Sequence, residues 1–427
     1  MKLKNLLLFL CVTLCFCFLS LTICYCKGEK PTIVIDPGHG GTNDGAYYDG
    51  IKEKEINLKL ATQLNKMLAK YDDEINVVMT RYSDDSLDLK ERAEIAKKNN
   101  ADILISLHFN ASEKKDLFGA EVWTSAFEKY HTRGKELGQC FIDNFKEFGL
   151  LNRGIKTRVS KLEKNGDIKD IEKPEDLENV DESKFNDYYG IIRESVKRGV
   201  PAIIVEHCFL DVEKEFLTDE SYTKFAEADA KAIIDYFKLG TSESGLPKLK
   251  GEIPTKAIIN DVTEPEKVAL NVYKNSDGEY ILKIFVKDSN SKIIYFSYTI
   301  DDGKTWSNLM AFNSDDGNNL EYKLSEKEIK GNVIVKVYNN YDLFKESNYI
   351  SNSEIKNFEK DEILKFEAEN ETLQILNEED LYSEGIIADD TNEENNDGFT
   401  IIFSILVFIV VIISVIIVIL FLKLRRK

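Results

Sequence analysis

The chain has 427 residues, which is more than one hydrophobic core usually supports, so its length predicts two or three domains. Its formal net charge is -19 and it has no basic patch interleaved with aromatic residues, which argues against nucleic-acid binding. Only Cys140 and Cys208 of the seven cysteines lie outside an apolar leader, which excludes a disulfide-rich scaffold. We expect these two to be free, buried thiols, with a bond between them as the alternative.

The first 26 residues have the pattern of an export segment. An uncharged apolar run from Leu6 to Cys26 follows Lys2 and Lys4, which is the arrangement of a signal peptide. The run is also long enough to be retained as an uncleaved N-terminal anchor. In both cases the residues that follow are expected outside the cell.

Short apolar runs alternate with helical patterns between residues 30 and 240. Strands are predicted at PTIVID, INVVMT, ADILISLHFN, GAEVWTS and PAIIVEHCFL. Amphipathic helices are predicted at EKEINLKLATQLNKMLAKY, LDLKERAEIAKKNN, HTRGKELGQCFIDNFKEFGL and SYTKFAEADAKAIIDYFKL. This alternation is typical of a layered α/β domain with a mostly parallel sheet flanked by helices. Residues 156–186 are polar and too long for an ordinary connection, so we expect a surface insertion there.

The composition changes again beyond residue 240. Residues 241–260 are predicted to be a linker from their Gly, Ser and Pro content. Residues 261–352 alternate apolar and polar side chains between Asp-Gly and Asn-rich turns, which predicts a small, Ig-like antiparallel β-sandwich. We expect Trp306 to pack within this sandwich rather than to bind a sugar. Residues 353–398 are strongly acidic and are predicted to be a disordered stalk.

Residues 400–422 are uncharged and rich in Ile, Val, Leu and Phe, and they are numerous enough for a helix to cross a bilayer. Residues 423–427, KLRRK, are expected in the cytoplasm by the positive-inside rule. The sequence therefore predicts a single-pass membrane protein with its folded domains outside the cell.

Two of the four histidines stand at the ends of predicted parallel strands. His39 follows the first strand, in VIDPGHGG, and His108 ends the third strand, in ISLHFN. Because ligands collect at the carboxyl ends of parallel strands, the two imidazoles are expected at one edge of the sheet. The glycines around His39 would leave room beside it, and Asp36 is expected to orient its imidazole.

Carboxylates near these histidines make a metal site plausible in chemical terms. Glu53 and Glu55 begin the first helix, where the helix dipole alone would favour an acid, so the pattern does not choose between them. Glu206 ends the apolar strand AIIVE, where a charge is costly unless it is paired. A hydrolytic zinc site requires three N or O ligands and a carboxylate that moves protons. His39, His108, one glutamate and Glu206 as general base would meet that requirement.

Five stretches, in this order, carry a resemblance to a known family: IVIDPGHGG, KEKEINLKLA, TRYSDDSLDLKERAEIAKKNNADILISLHFNAS, GAEVW and GVPAIIVEHCFLD. Together they resemble the zinc-dependent N-acetylmuramoyl-L-alanine amidases of bacterial cell walls, of the amidase_3 type, over residues 30–237. The resemblance implies Zn²⁺ on His39, Glu53 and His108, and Glu206 as the catalytic residue. It selects Glu53 because the family's acid directly precedes a Lys and is followed by an Asn-Leu pair.

The resemblance also implies the reaction, its partner and a location in the cell membrane of a Gram-positive-like bacterium. The expected activity is hydrolysis of the amide bond between N-acetylmuramic acid and L-alanine in peptidoglycan, as in an autolysin, and the sandwich would be a spacer or contact wall glycan. Arg193 and Asn110 are implied as substrate contacts. Arg81 and Arg92 match family arginines and are expected to form salt bridges that shape the loops.

Other functions remain open at this point. The chain could be a zinc hydrolase of another amide-linked wall polymer or γ-glutamyl polymer, or a non-catalytic wall-binding protein on the same fold. The last is disfavoured because none of the four site residues is lost. Where the family usually has a small residue after the catalytic glutamate, this chain has His207 and Cys208. Cys208 is disfavoured as a nucleophile because His207, its neighbour in a strand, points to the opposite face.

Overall fold

The computed structural model describes residues 30–357, apart from residues 115, 164–167 and 178–181. The predicted export segment, nearly all of the predicted acidic stalk, and residues 400–427 lie outside the described residues. Within the described part of the chain, no helix is both long enough and apolar enough to cross a bilayer.

The residues up to 240 form an α/β domain. Its strands are β1 (Thr32–Pro37), β2 (Tyr47–Tyr48), β3 (Ile51–Lys52), β4 (Asn76–Met79), β5 (Ile103–Asn110), β6 (Ala120–Thr124), β7 (Asn152–Lys156), β8 (Val159–Leu162), β9 (Ile168–Asp170), β10 (Phe185–Asp187) and β11 (Ala202–Phe209). Its α-helices are α1 (Glu53–Leu68), α2 (Leu89–Lys98), α3 (Glu128–Glu147), α4 (Gly190–Lys197) and α5 (Asp219–Phe237). Short 3-10 helices span Ala69–Tyr71, Pro174–Leu177, Glu182–Lys184 and Lys214–Phe216.

The central sheet has the strand order β4-β1-β5-β11-β6-β7. Strands β4, β1, β5 and β11 are mutually parallel, whereas β6 is antiparallel to β11 and β7 is parallel to β6. The prediction of a mostly parallel sheet is therefore confirmed for four strands, and the sheet as a whole is mixed. The connection from β5 to β6, residues 111–119, is shorter than the dozen or more residues that a parallel crossover takes, so β6 runs in the opposite direction.

Helices cover both faces of this sheet, as the sequence predicted. Helices α1, α3 and α5 pack on one face and α2 and α4 on the other. In β1, Ile33 and Ile35 point to the first face and Val34 to the second, and all three are fully buried. This burial on both faces explains why the strand is a continuous apolar run, and the alternation places Asp36 on the α2 side.

The described residues of the expected surface insertion, residues 156–186, include a small sheet. Strands β8, β9 and β10 form a three-stranded antiparallel sheet in the order β10-β8-β9. Val159 and Phe185 of this small sheet pack against Val262, which lies far along the chain. The local sequence pattern is weak because the strands bury their apolar residues against a remote segment.

The predicted linker, residues 241–260, contains no helix or strand but runs along the α/β domain. The Ile258 amide donates to the carbonyl of Ala126 at 2.8 Å, and the Asn260 side chain accepts from the Val159 amide at 3.0 Å. This segment is thus attached to the α/β domain by hydrogen bonds rather than standing free of it.

Residues 267–357 form a β-sandwich, the architecture predicted for this region, although its first and last strands pair in parallel and not in the predicted antiparallel manner. Its strands are β12 (Lys267–Lys274), β13 (Tyr280–Lys287), β14 (Ile293–Thr299), β15 (Met310–Ala311), β16 (Asn319–Lys323), β17 (Ile334–Asn339), β18 (Phe344–Glu346) and β19 (Lys356–Asn357). They form two four-stranded sheets, β16-β13-β12-β19 and β15-β14-β17-β18, over a common apolar core. Trp306 is half-buried, and Lys336 Nζ lies 3.8 Å from its ring centre, so one face of the indole is covered.

Candidate active site

Three potential metal ligands meet at the carboxyl ends of β1 and β5. His39 follows β1, Glu53 begins α1 and His108 lies in β5, and one ligand atom from each lies within 4.8 Å of the others. His39 Nε2 is 3.0 Å from Glu53 Oε2, and His108 Nδ1 is 2.9 Å from Glu53 Oε1. Glu53 is buried, whereas Glu55, the alternative at the sequence level, is exposed. The structure therefore brings together the three side chains that the sequence singled out.

A side chain of the following loop determines which nitrogen of His39 carries the proton. His39 Nδ1 lies 3.1 Å from Asn43 Oδ1, and the same oxygen accepts a hydrogen bond from the Gly45 amide at 3.0 Å. Because Asn43 Oδ1 only accepts, the ring proton is assigned to Nδ1. The Nε2 lone pair of His39 then points toward Glu53.

The second imidazole is arranged in the same way by Ser106. The Ser106 hydroxyl donates to Asp36 Oδ2 at 2.7 Å, so it accepts from His108 Nε2, which lies 3.1 Å away. The proton of His108 is therefore assigned to Nε2, and its Nδ1 lone pair points toward Glu53. Two lone pairs and a carboxylate directed at one point repel each other unless a cation lies between them, which is the chemistry of a metal-binding site.

Glycines provide the space that these rings occupy. A Cβ atom on Gly45 would lie 2.5 Å from Glu53 Oε2 and 2.6 Å from His39 Cδ2, and one on Gly38 would lie 2.2 Å from His108 Cε1. His39 itself has a φ of 58°, a left-handed conformation that is unusual for a residue with a side chain. Backbone strain of this kind collects at functional sites, so it is a second indication that this loop is adapted to a ligand.

Asp36 supports the site, but not in the predicted way. Its carboxylate accepts from Thr80 Oγ1 at 2.5 Å, Arg92 Nη1 at 2.7 Å and Ser106 Oγ at 2.7 Å. The prediction that Asp36 orients the imidazole of His39 is wrong, because strand alternation directs its side chain toward α2. Asp36 acts on His108 through Ser106, and on the backbone of His39 through Arg92, whose Nη2 donates to the His39 carbonyl at 2.5 Å.

Arg81 and Arg92, which match arginines of the family that the sequence resembles, have different roles. Arg92 forms the expected salt bridge, with Asp36. Arg81 instead donates to backbone carbonyls, at 2.9 Å to Pro37 and Gly38 and at 2.8 Å to Lys54. Arg81 thus ties the His39 loop to the start of α1 and keeps the ligands of these two elements together.

Glu206 lies in β11 between His108 of β5 and Glu121 of β6, and it is the cross-strand partner of both. Cross-strand partners point to the same face of a sheet, so these three side chains share one face. Glu206 Oε2 is buried and has no hydrogen-bond partner among the described residues. Burial, with the negative charges of Glu53 and Glu121, raises the pKa of Glu206 well above its ordinary value. A carboxyl group in such surroundings is suited to accept and return a proton.

Glu53 is in the ionisation state that metal binding requires. Burial opposes ionisation of Glu53, but its close contacts with the His108 and His39 imidazoles hold its pKa well below the ordinary value. Glu53 is therefore an anion at neutral pH, as a carboxylate ligand must be.

Of the two predicted substrate contacts, one lies beside the site. Asn110 follows His108 by two residues, donates to Glu121 Oε1 at 3.1 Å, and lines a cavity of 370 Å³. Arg193 Nη1 instead donates to the backbone carbonyls of Asp187 at 2.8 Å and Tyr188 at 2.6 Å. It supports the loop before α4 and is not among the residues that line this cavity.

The two residues that depart from the family pattern are both buried. His207 Nδ1 lies 2.9 Å from the His108 carbonyl, and its Nε2 lies 3.1 Å from both carboxylate oxygens of Asp229 on α5. Cys208 is a free thiol, as predicted, and burial raises its pKa well above the ordinary value, so a thiolate nucleophile is disfavoured. Cys140 is also free but only half-buried.

The residues that orient the candidate metal ligands and Asn110 were not predicted from the sequence. Ser106 could have been found from strand alternation, since it lies two positions before His108 on the same face. Asn43 lies four residues after His39 in a loop, and spacing within a loop does not predict the direction in which a side chain points. Glu121 was within a predicted strand, but its buried partners Arg153 and Lys156 come from a strand that was not predicted.

Comparisons with known proteins cover mainly the α/β domain. Residues 33–235 match the family model described as N-acetylmuramoyl-L-alanine amidase. A putative N-acetylmuramoyl-L-alanine amidase of Buchnera aphidicola subsp. Acyrthosiphon pisum is 43% identical over 96 residues, which are 22% of this chain and 40% of that protein. The endolysin of Bacillus phage SPP1 is 29% identical over 255 residues, which are 57% of this chain and 81% of that protein.

Among solved structures, the N-acetylmuramoyl-L-alanine amidase from Clostridium difficile 630 is 26% identical, with a TM-score of 0.38. The matched region covers 50% of this chain and 100% of that one. The chain spans less than two thirds of the length of three curated relatives that are named as putative or probable amidases, with matches over 40%, 27% and 53% of their own lengths.

Proposed function

We propose that this chain, whose residues 33–235 match the N-acetylmuramoyl-L-alanine amidase family model, hydrolyses the amide bond between N-acetylmuramic acid and L-alanine in peptidoglycan. One observation carries the proposal: ligand atoms of His39, Glu53 and His108 lie within 4.8 Å of one another, and His108 is the cross-strand neighbour of Glu206, whose Oε2 has no hydrogen-bond partner among the described residues. The names of the matched relatives supply the substrate, and this arrangement supplies the chemistry.

The donor set fits Zn²⁺. Two imidazole nitrogens and one carboxylate are a common ligand set of catalytic zinc sites, which keep a further position open for water. His39, Glu53 and His108 would hold the ion, with Asn43 and Ser106 keeping the ring protons on the outer nitrogens. When bound, the ion supplies Lewis acidity, which lowers the pKa of water and polarises the amide carbonyl.

Glu206 would carry the protons of the reaction. Its Oε2 has no other partner among the described residues, so it is available to take a proton from the attacking water. The water oxygen bonds to the lactyl carbonyl carbon, the C–N bond breaks, and Glu206 returns the proton to the departing nitrogen of L-alanine. The products are a lactyl carboxylate on the sugar and a stem peptide with a free amine.

Digestion of peptidoglycan by the purified full-length chain tests this function. We expect about one zinc per chain and, by mass spectrometry, stem peptides that begin with a free L-alanine amine. New reducing sugar ends in place of free amines would overturn the assignment, as would full activity in Glu206→Ala. Activity on a γ-glutamyl polymer but not on peptidoglycan would favour the second hydrolase function that the sequence leaves open.

We further propose that the enzyme acts outside the cell, tethered to the membrane. The support is the sequence pattern of residues 6–26, 400–422 and 423–427, all of which lie outside the described residues. Protease treatment of intact cells should remove the α/β domain while the C-terminal tail stays protected. Protection of the whole chain would contradict this topology. A contact between the sandwich and wall glycan stays a prediction, and the covered face of Trp306 does not favour that residue as the contact.

A further inference from the structure

The β-sandwich inserts polar groups into the α/β domain. Tyr295 of β14 is fully buried, and its hydroxyl accepts from Arg153 Nη1 at 2.5 Å and from the Phe118 amide at 3.1 Å. Asp342, in the turn between β17 and β18, accepts two hydrogen bonds from Arg153 Nη2, at 2.9 and 3.1 Å. Each nitrogen of the Arg153 guanidinium thus has a partner, Glu121 for Nε, Tyr295 for Nη1 and Asp342 for Nη2, and two of these partners belong to the sandwich.

These contacts complete the charge balance of a buried cluster. Glu121 Oε2 lies 2.6 Å from Arg153 Nε and 2.6 Å from Lys156 Nζ, and each of these three side chains is 2% exposed. One anion faces two cations in this cluster, so the second anion, Asp342, is what makes it neutral. A buried cation without a partner is strongly destabilising, so the arrangement of the cluster depends on the sandwich.

The same cluster reaches the active site through the other oxygen of Glu121. Glu121 Oε1 accepts from Asn110 Nδ2 at 3.1 Å and from Trp123 Nε1 at 3.0 Å, and Glu121 is the cross-strand partner of Glu206. Burial opposes ionisation of Glu121, but Arg153 and Lys156 lower its pKa to about 2, so it is an anion at neutral pH. Asn110, in turn, ends the strand that carries the ligand His108.

One cavity joins the two ends of this chain of contacts. The cavity of 370 Å³ is lined by Asn110 and Glu121 from the α/β domain and by Tyr341 and Asp342 from the sandwich. Tyr341 and Asp342 of the sandwich thus line the same cavity as Asn110, which lies two positions after the candidate metal ligand His108. It is part of the surroundings of the site and not only an attachment on the back of the domain.

We propose that the β-sandwich is a positioning element of the active site, in which Asp342, acting through Arg153 and Glu121, fixes Asn110 and the strand edge beside Glu206. Catalysis then requires the β-sandwich, independently of any role that this domain has in attachment to the wall. The inference rests on the proposed function for its kinetic readout. Asp342 does not touch the reacting atoms, so its contribution is expected in the rate of turnover and not in the metal content.

The experiment compares three variants of the full-length chain. Asp342→Asn removes the charge, Asp342→Glu restores it, and Glu279→Gln is the matched control. Glu279 is also on the sandwich, is also 34% exposed, and pairs with Lys323 at 2.6 Å, but it lies outside the cluster. We expect Asp342→Asn to lower kcat on peptidoglycan by on the order of ten- to a hundredfold, because small displacements of positioned groups have effects of this size. KM and zinc content should stay near the wild-type values, Asp342→Glu should recover most of the rate, and Glu279→Gln should leave it unchanged.

Thermal unfolding distinguishes this effect from a loss of fold. If Asp342→Asn does not fold, Tyr295→Phe replaces it, since that change removes one acceptor of Arg153 while the buried ring stays. Wild-type kcat in a folded Asp342→Asn variant, or equal rate losses in Asp342→Asn and Glu279→Gln, would overturn the inference.

A readout without turnover separates this inference from the proposed function. The side-chain amide resonance of Asn110, assigned by its loss in Asn110→Ala, reports the position of the Glu121 carboxylate. We expect it to shift in Asp342→Asn and not in Glu279→Gln. A wild-type chain that releases no stem peptides would refute the proposed function alone, and an unshifted Asn110 resonance would refute the positioning role alone.

Discussion

Glu53 Oε1 lies 2.9 Å from His108 Nδ1, although the two residues come from a helix and a strand that are 55 positions apart in sequence. The other oxygen of the same carboxylate lies 3.0 Å from His39 Nε2. One side chain at the start of α1 therefore connects the ends of two neighbouring parallel strands. The geometry of the site therefore depends on the residue at which α1 begins. The backbone of the preceding loop, which contains Gly45, determines that starting point.

Gly45→Ala should abolish metal binding. The added methyl group would lie 2.5 Å from Glu53 Oε2 and 2.6 Å from His39 Cδ2, so these two ligands would have to separate. The matched control is Gly50→Ala, because Gly50 also has a positive φ, 86° against 71°, but no atom lies within 4 Å of its added Cβ. Both variants pay about 1 kcal/mol for the left-handed backbone, and only Gly45→Ala should lose zinc and activity. Equal zinc content in the two variants, measured by elemental analysis, would show that the space beside Gly45 is not needed.

Ser106→Ala and Asn43→Ala should each weaken zinc binding by about ten- to a hundredfold, as is usual for residues that orient metal ligands. Each change removes the acceptor that keeps a ring proton on the outer nitrogen of a histidine, at 3.1 Å in both cases. The inner nitrogen is then free to take the proton, and that form does not bind a metal ion. Competition with a chelator measures the affinity. Thr62→Ala is the control, since its hydroxyl bonds within α1 to the Leu58 carbonyl. An affinity of Ser106→Ala equal to that of Thr62→Ala would argue against the assigned tautomers.

Glu206→Gln should lower turnover by at least a hundredfold, the usual range for loss of a general base or acid, while zinc content stays unchanged. In the metal-free protein the same variant should be more stable than the wild type, because Glu206 Oε2 is a buried carboxylate oxygen without a partner among the described residues.

Glu121→Gln offers the contrast. It is a buried carboxylate on the neighbouring strand, but it is fully paired, so its loss should destabilise the fold by about 3–5 kcal/mol. Thermal unfolding in excess chelator measures both, and a destabilised Glu206→Gln would contradict the view that this carboxylate is held there for catalysis.

The stability of the protein should depend on the ionisation of Asp187. This residue of β10 accepts from Ser125 Oγ at 2.9 Å and from the Ala126 amide at 2.8 Å, and burial raises its pKa to about 6. Because the folded-state pKa lies above the unfolded value, the stabilisation is complete below about pH 4 and is lost as the pH rises through 6. A shift of about two pKa units corresponds to about 3 kcal/mol. Asp187→Asn keeps the shape of the group and removes its titration. Urea unfolding at pH 4 to 7 should therefore show the wild type losing stability relative to Asp187→Asn, and a constant difference would contradict the raised pKa.

Much of the fold was predictable because strands and helices are visible in local periodicity. The helix predicted at EKEINLKLATQLNKMLAKY is α1, and the strands predicted at PTIVID and ADILISLHFN are β1 and β5. Strand β6 was predicted but its antiparallel direction was not, and β7, the small sheet in residues 156–186 and helix α4 were missed. Their short elements gain stability from packing against remote residues such as Val262, which local pattern does not reveal.

The sequence by itself determined which residues could do chemistry. His39, Glu53, His108 and Glu206 stand at strand or helix ends, and the topology of a parallel sheet is enough to bring such ends to one edge. Strand alternation alone also explains why Asp36 faces α2 and cannot reach the ring of His39, although we predicted otherwise.

Only the tertiary structure decided what holds these residues in place. Asn43, Ser106 and Glu121 are selected by directions of side chains, and Arg153 meets Asp342 across 189 positions of sequence. Such partners are chosen by how two domains pack and by the need to neutralise buried charge, which are properties of the folded chain. For this reason the candidate catalytic residues are apparent in the sequence, and the cavity that the β-sandwich shares with Asn110 and Glu121 appears only in the fold.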